Sequence, residues 1–482
     1  NYRQNQISFF RSGSCPSLFI SVTKTMITLS LSQIASILEA QLIGDGNVTV
    51  ENVSTDSRKA VNNGLFFALK GENFDAHDYV MKAAEQGCVA AVVEHPTDGN
   101  IAQLIVKDSR LALGQLAKWL REKINPKVVA MTGSSGKTTV KEMTASILQQ
   151  SAVDFDDVLF TQGNFNNEIG VPLTLLRLTE KHKFAVIELG ANHIGEIAYT
   201  TALAQPDVAL VNNVMAAHLE GFGSLDGVAT AKGEIFRGLT HHGVAIINQA
   251  HNYQQKWQKE IGQHEVQYFA YDNPQADFYA EHIQFSEQGA SFVLHTPQGN
   301  VQIDSPYLGE HNVSNALAAT ALAMNVGATL AQVKKGLETP SLVKGRLFPI
   351  HPCDNLLLLD DTYNANVGSM KSAISVLQKY PAFRVFVVGD MGELGDNTPL
   401  CHQEVGEFAW AAKLDLVISF GRSSSVISAV NFGRHFTDKT ELVAYLTPII
   451  KQQLTQQKVV VLVKGSRSMK MEDVIDLLKG NF

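Results

Sequence analysis

The chain has 482 residues, of which 45% are hydrophobic and 18% charged, and a net charge of −8. That length exceeds what one hydrophobic core organises and, at roughly 100–200 residues per domain, predicts about three domains. The composition excludes a disordered chain, and no run reaches the roughly 18 apolar residues of a membrane span. The acidic balance argues against a nucleic-acid partner but leaves room for a local anion site.

Asn1 to Thr25 shows no helical period, and Arg11, Pro16 and Lys24 interrupt its apolar patches. It lacks the clean apolar run and cleavage site of a secretory signal. Met26 is read as the natural start, with residues 1–25 an appended extension or the product of an upstream start. From there Leu31, Ile34, Ile37 and Leu38 follow helical spacing. Residues 26–107 then carry short apolar runs at Leu65–Leu69, Val89–Val93 and Ile101–Val106, with a helix-like stretch at Tyr79–Gln86, which predicts a small α/β unit.

Residues 108–336 form a second block. A helix is expected over Ser109–Lys123, with the serine at its start. The buried-strand run Val128–Met131, a glycine loop and a helix from Lys137 to Gln150 follow. Further strand runs lie at Ala185–Leu189, Val208–Val211 and Val244–Ile247, and an alanine-rich helix spans Val313–Asn325. Residues 337–482 form a third block, with strands at Leu356–Leu359, Val385–Val388, Leu416–Phe420 and Val459–Val463. Short apolar strands alternating with helices predict parallel sheets. The fold class is therefore α/β in three domains: a small N-terminal unit, a central P-loop-type unit and a C-terminal Rossmann-like unit. Thr339-Pro340-Ser341 marks the expected hinge. Cys15, Cys88, Cys353 and Cys401 lie far apart, without a metal or disulfide pattern, and read as free thiols in a reducing cytosol.

The strand–loop–helix at Thr132-Gly133-Ser134-Ser135-Gly136-Lys137-Thr138-Thr139 is the richest motif. Backbone N–H groups and a helix N-terminus favour phosphate there. Lys137 can reach the β- and γ-phosphates and the Thr138 hydroxyl can ligate Mg²⁺. The full pattern has a glycine where this chain has Met131, so the loop is a variant. It predicts ATP or GTP without naming a reaction, and its bland reading is a tight turn with an incidental lysine. Glu188 ends a strand at the edge where ligands collect in open parallel sheets, and a carboxylate there can hold Mg²⁺. Singly, Glu188 could be a solvated loop acid, His218 a structural histidine and Lys232 a surface lysine. Their recurrence after successive strands is what points to a site. An amide-forming ligase and a P-loop kinase or switch protein both remain open at this point.

Several ordered segments resemble the Mur ligases, enzymes that extend the peptide of the bacterial cell-wall precursor. They are Asp56-Ser57-Arg58, Asp75-Ala76-His77, Gly163 to Pro172, Glu188 to Asn192, Ala217 to Ser224, Asp360 to Asn366 and Gly389 to Gly395. The resemblance covers the chain from Met26 onward. It implies a cytoplasmic, monomeric, ATP-dependent ligase of peptidoglycan synthesis that adds D-alanyl-D-alanine to UDP-N-acetylmuramoyl-tripeptide. Related amide ligases, including folylpolyglutamate synthetases, are the alternative.

By the same resemblance, the phosphate loop binds ATP, with Thr138 and Glu188 on one Mg²⁺ and His218 near a second. Lys232 matches a lysine that is carbamylated in several of these enzymes. Asn312 and Asn315 would lie on the adenine side, although Asn312 could equally serve as an N-cap for its helix. Arg346 and Asp361 would reach ATP from the third domain. Ser57 and Arg58 would contact the uridine diphosphate, Asn164 and Asn166 the muramoyl-peptide, and Asn364 and Asn366 the incoming dipeptide. Two positions depart from the family pattern: Val367 stands where proline is usual, and Ala76 where glycine is. Both are expected to alter turn geometry rather than remove chemistry.

Overall fold

In the computed structural model, which describes residues 26–482, the apolar runs become strands of three large sheets. The expectation for residues 1–25 lies outside the described residues. The first helix, Leu31–Leu38, starts from a capping box between Ser30 and Gln33 and buries Leu31, Ile34 and Leu38. It packs by a five-stranded sheet ordered Gln41–Ile43, Ala102–Ile105, Cys88–Val93, Gly64–Phe67, Asn52–Ser54. All neighbours are parallel except Gln41–Ile43 against Ala102–Ile105.

The central sheet has nine strands. Val158–Phe160, Phe184–Glu188, Lys127–Thr132, Val208–Val211, Val244–Asn248 and Glu265–Ala270 run parallel in that spatial order. Three further strands, Phe278–Ser286, Gly289–Thr296 and Gly299–Ser305, extend the edge as antiparallel hairpins. Continuous apolar runs do not reveal these. Their burial alternates residue by residue, as expected of strands with one wet face.

The helix Ser109–Ile124 joins the first two units. Asp108, not Ser109, is its N-cap, accepting the Leu111 N–H, while the Ser109 hydroxyl donates to the Ala68 carbonyl. One continuous core runs from Leu31 and Ile34 through Leu113, Leu116 and Leu120 to Val128, Ala185 and Ala209. The first unit is thereby welded to the second.

The C-terminal sheet is ordered Phe348–Ile350, Leu356–Asp361, Val459–Lys464, Phe383–Gly389, Leu416–Phe420, Arg434–Phe436. Only the first strand is antiparallel. It has separate cores on its two faces. The chain reaches it through a helix, Leu330–Glu338, and the Thr339-Pro340-Ser341 segment. Its last strand in sequence, Val459–Lys464, inserts between Leu356–Asp361 and Phe383–Gly389. Asp361 and Lys464, at the carboxyl ends of two of these strands, line a cavity, where ligands collect in open sheets. Among the described residues no helix is long and apolar enough to cross a membrane.

Candidate active site

The strand Lys127–Thr132 is buried on both faces and delivers the phosphate loop at its carboxyl end. Met131 pairs in register with Glu188 and with Leu210 and is fully buried, so the position that carries glycine in the full pattern is here part of the strand. The helix Lys137–Gln149 begins at Gly136 with no side-chain cap, which leaves its first N–H groups for an anion. Gly136 is left-handed at φ 79°, and a Cβ there would meet Asn315 Oδ1 at 2.6 Å and Asn212 Nδ2 at 2.7 Å. Lys137 folds back over the loop, its Nζ donating to the Gly133 carbonyl at 2.8 Å. Burial holds this ammonium below the ordinary lysine value; Glu188 opposes the shift and Arg346 adds to it.

Glu188 ends its strand almost wholly buried, at 2% exposure. Its Oε2 accepts from Thr138 Oγ1 at 3.1 Å and its Oε1 from Asn166 Nδ2 at 2.9 Å. Asn166, expected along the muramoyl-peptide, is thus bound to this carboxylate. Asn164 lines the same cavity.

A chain of asparagines supports the loop from the other side. Asn213 Oδ1 accepts the Ser135 N–H at 2.9 Å. Asn212 Nδ2 donates to the Ser135 carbonyl at 3.1 Å and to Asn315 Oδ1 at 3.0 Å. Asn315 Nδ2 donates to Asn312 Oδ1 at 2.9 Å, and Asn312 Nδ2 to the Leu308 carbonyl at 2.8 Å. The N-cap option for Asn312 is corrected. The helix is Glu310–Met324 with Gly309 as its cap, so Asn312 lies inside the first turn. Sequence reading passed over Asn212 and Asn213, although they directly follow the strand Val208–Val211, where the argument for Glu188 applies equally.

The C-terminal unit closes the site. Arg346 Nη2 donates to Thr138 Oγ1 at 3.4 Å, and its guanidinium lies 4.3 Å from the Tyr363 ring centroid. Its buried Nε has no partner among the described residues, which suits an anion not present here. Asp361 pairs with Lys464 at 2.8 Å and accepts the Leu347 N–H at 3.1 Å. Lys464 also donates to the Asn364 carbonyl at 2.9 Å. Burial holds Lys464 below its ordinary value against the pull of Asp361. Lys464 directly follows the sequence-predicted strand run Val459–Val463, so the same strand-end argument applies to it. Asn366 caps the helix Val367–Gln378 through Ser369 and sends Nδ2 to the Ser134 carbonyl at 3.4 Å. Val367 is therefore the first helical residue, the place where proline is best tolerated.

These groups enclose two adjoining cavities that share Ser135, Gly136, Arg346 and Ser369. The larger, about 330 Å³, is lined by Thr139, Asn212, His251, Tyr271, His311, Asn312, Asn315, Asp361 and Lys464 among others. Burial pulls His311 down to about 4, with Asp361 opposing and Lys464 reinforcing the shift, so it faces this cavity neutral. The smaller, about 170 Å³, holds Lys137, Glu188, His218, Asn164, Asn166 and Asn364.

His218 pairs with Glu393 of the C-terminal unit. Lys232 does not line either cavity. It is buried at 1% exposure, with Nζ 5.3 Å from the Phe222 ring centroid. Burial first and repulsion from Lys137 second bring it down to about 7, against the pull of Glu196 and Glu234. Ser57 and Arg58 lie in the first unit, away from both cavities. The exposed Arg58 forks onto Asp56 at 2.8 and 3.0 Å. In the same unit His77 donates or accepts at both nitrogens, to Asp75 and from the Glu94 N–H, so the Asp75-Ala76-His77 segment ties a turn to a strand end.

Three family models match along the chain: the Mur ligase catalytic domain over residues 49–127, the Mur ligase middle domain over 131–323 and the glutamate ligase domain over 345–467. A UDP-N-acetylmuramoyl-tripeptide–D-alanyl-D-alanine ligase of Haemophilus influenzae is 64% identical over 456 residues, covering 94% of this chain and 99% of the relative. The chain belongs to the Mur ligase family. The ligase of the same name from Escherichia coli is 52% identical over 95% of this chain and 99% of its own length. Among solved Mur ligases, MurF from Acinetobacter baumannii superposes with a TM-score of 0.89 at 40% identity, over 94% of this chain and 99% of that one. MurF from Thermotoga maritima, solved in complex with ADP, superposes with a TM-score of 0.79 at 26% identity, over 89% and 97%.

Proposed function

We propose that the chain ligates D-alanyl-D-alanine to the tripeptide carboxylate of UDP-N-acetylmuramoyl-tripeptide at the expense of ATP. The observation that carries this reading is the convergence of Lys137, Thr138, Glu188 and Asn166 with Arg346 of the other unit on one loop, in a chain 64% identical along its length to a ligase of that name.

A carboxylate is a poor electrophile because its leaving group would be oxide. Transfer of the γ-phosphoryl group solves this. The tripeptide carboxylate oxygen attacks phosphorus, the bond to ADP breaks, and an acyl phosphate forms. The dipeptide amine then attacks the acyl carbon and phosphate departs with the former carboxylate oxygen. Lys137, the uncapped helix start and Arg346 face the charge that spreads over the transferred oxygens. The asparagine chain fixes the loop, and Asn312, Asn315, Arg346 and Asp361 border the cavity that suits the nucleoside.

The Glu188 carboxylate and the Thr138 hydroxyl, 3.1 Å apart, are the hard oxygen donors Mg²⁺ prefers. Bound there, Mg²⁺ would neutralise phosphate charge. His218 and Lys232 complete the reading. A near-neutral buried amine at Lys232 suits reaction with carbon dioxide, and the resulting carbamate would remove the positive charge that repels Lys137. Asn364 and Asn366 are assigned to the dipeptide, Asn164 and Asn166 to the muramoyl-peptide, and Ser57 and Arg58 to the uridine diphosphate. The enzyme acts as a cytoplasmic monomer, with units of 26–107 for the nucleotide sugar, 108–336 for ATP and 337–482 for the dipeptide.

Phosphate release in the presence of ATP, Mg²⁺, the UDP-linked tripeptide and D-alanyl-D-alanine tests the reading. Release that needs both acceptor and dipeptide is expected; release indifferent to the dipeptide would sink it.

A further inference from the structure

His218 sits where the central and C-terminal units meet. It lines the phosphate-side cavity with Lys137, Glu188 and Arg346. Its backbone is left-handed, at φ 53°, immediately before the helical turn Leu219–Phe222. Its Nδ1 pairs with the carboxylate of Glu393, which belongs to the loop after the C-terminal strand Phe383–Gly389 and is itself left-handed at φ 59°.

Two further contacts join the same segments. The Glu220 N–H donates to the Glu393 carbonyl at 3.2 Å. Leu219 packs against the C-terminal core that contains Met391 and Leu394. Two non-glycine residues in a sparsely populated backbone region thus face each other across a domain boundary. Such conformations persist only where the surroundings over-determine them, and they cluster at functional sites. Glu393 is half-exposed, so its carboxylate is not needed to complete a core.

We propose that Glu393 is a positioning residue for the ligation: docking of the C-terminal unit brings its carboxylate to Nδ1 and fixes the His218 ring at the phosphate site. With Nδ1 held against the Glu393 carboxylate, Nε2 is the ring nitrogen left to meet a ligand. A carboxylate behind a histidine sets its tautomer and orientation. Glu393 supplies this from the other domain, so His218 is set only while the units are docked. The inference rests on the ligase reading above.

The test is a double-mutant cycle on the full-length enzyme. E393A is expected to lower kcat about 10- to 100-fold, the range for removing a group behind an active-site histidine. KM for ATP and for the UDP-linked tripeptide should stay within about twofold, because uniform binding is not what is lost. E393Q, which keeps size and an acceptor, should fall between E393A and wild type. In an H218A background E393A should add little, since both changes remove one unit. An unchanged kcat in E393A, or losses that multiply in the double variant, would overturn the positioning role while leaving the ligase reading intact. A wild-type enzyme without dipeptide-dependent phosphate release would defeat both.

Discussion

Arg346 Nη2 approaches Thr138 Oγ1 at 3.4 Å, and that same hydroxyl donates to Glu188 Oε2 at 3.1 Å. One threonine thus touches a cation from the C-terminal unit and a carboxylate from the central sheet. The guanidinium is also stacked on Tyr363. Its planar fork is what allows it to stack and to present several donors at once; an ammonium does neither. R346A is expected to lower kcat on the order of 10²-fold, as for loss of one donor to transition-state charge. R346K should recover only part of that. Steady-state rates of phosphate release check both, with unchanged thermal midpoints showing that the fold survives.

E188Q separates metal binding from folding. Glutamine keeps the size of Glu188 and can still bond Thr138 and Asn166, but it loses the charge that a divalent cation needs. The expected result is a large rise in the Mg²⁺ concentration required for half-maximal rate, with ATP binding measured in the absence of Mg²⁺ little changed. An unaltered Mg²⁺ dependence would remove Glu188 from the metal assignment.

Much of this site was legible because parallel sheets place ligands at strand ends. Glu188 and the phosphate loop were found that way, each from an apolar run followed by polar residues. Asn212, Asn213 and Lys464 obey the same rule but carry no motif of their own, and only the structure joins them to Ser135, Asn315 and Asp361. The pairing of His218 with Glu393 was not legible at all. It links residues 175 positions apart through a domain contact that no periodicity encodes. The hairpins at Phe278–Ser305 escaped for a different reason, since a strand with one wet face has no continuous apolar run.

Asp390 provides a pH test away from the chemistry. It accepts the N–H groups of Arg422, Ser423 and Ser424 at 2.8, 3.0 and 2.8 Å. Burial raises its pKa, but these bonds together outweigh burial and hold it below the ordinary 3.8. Below that value the unfolded chain binds a proton that the folded chain does not, so acid erodes the stability Asp390 supplies. D390N should cost about 2 kcal/mol at neutral pH, the scale of hydrogen bonds to a charged group. Denaturant midpoints of wild type and D390N should converge as pH falls below the ordinary aspartate value.

The C-terminal unit has cores built almost wholly from its own residues, with only Leu308 and Leu219 of the central unit reaching one of them, whereas the first two units share a continuous core. Motion is therefore expected between the third unit and the other two, about Thr339–Ser341, with Arg346, Asn366 and Glu393 carried onto the site by closure. X-ray scattering should show a smaller radius of gyration with a non-hydrolysable ATP analogue and both acceptor substrates than without them. Identical profiles would count against this hinge.

Lys232 is buried against Phe222, and burial first, with repulsion from Lys137 second, disfavours its charged form. A carbamate would exchange that repulsion for attraction. K232A should therefore lose most activity and regain part of it with a short-chain carboxylic acid able to enter the vacated space. Native mass spectrometry of the wild type in bicarbonate should show the mass of one added carbon dioxide that K232A lacks. Full activity in K232A would remove the lysine from the reaction.

Gly136 offers the sharpest separation of loop geometry from loop chemistry. Alanine there keeps Lys137 and Thr138 but must hold a left-handed φ of 79° and place a methyl 2.6 Å from Asn315 Oδ1 and 2.7 Å from Asn212 Nδ2. The asparagines cannot yield freely, because each is bonded to the next from Ser135 to Leu308. The backbone must move instead, and with it the N–H groups of the uncapped helix start. G136A is expected to weaken ATP binding by about 10-fold or more, corresponding to at least ~1.4 kcal/mol, while the unfolding midpoint falls only modestly because the loop lies at the cavity. Pairing G136A with N315A tests the cause: if steric pressure on the asparagine chain is what displaces the loop, truncating Asn315 should restore part of the lost affinity, and if the strained φ alone is responsible it should restore none.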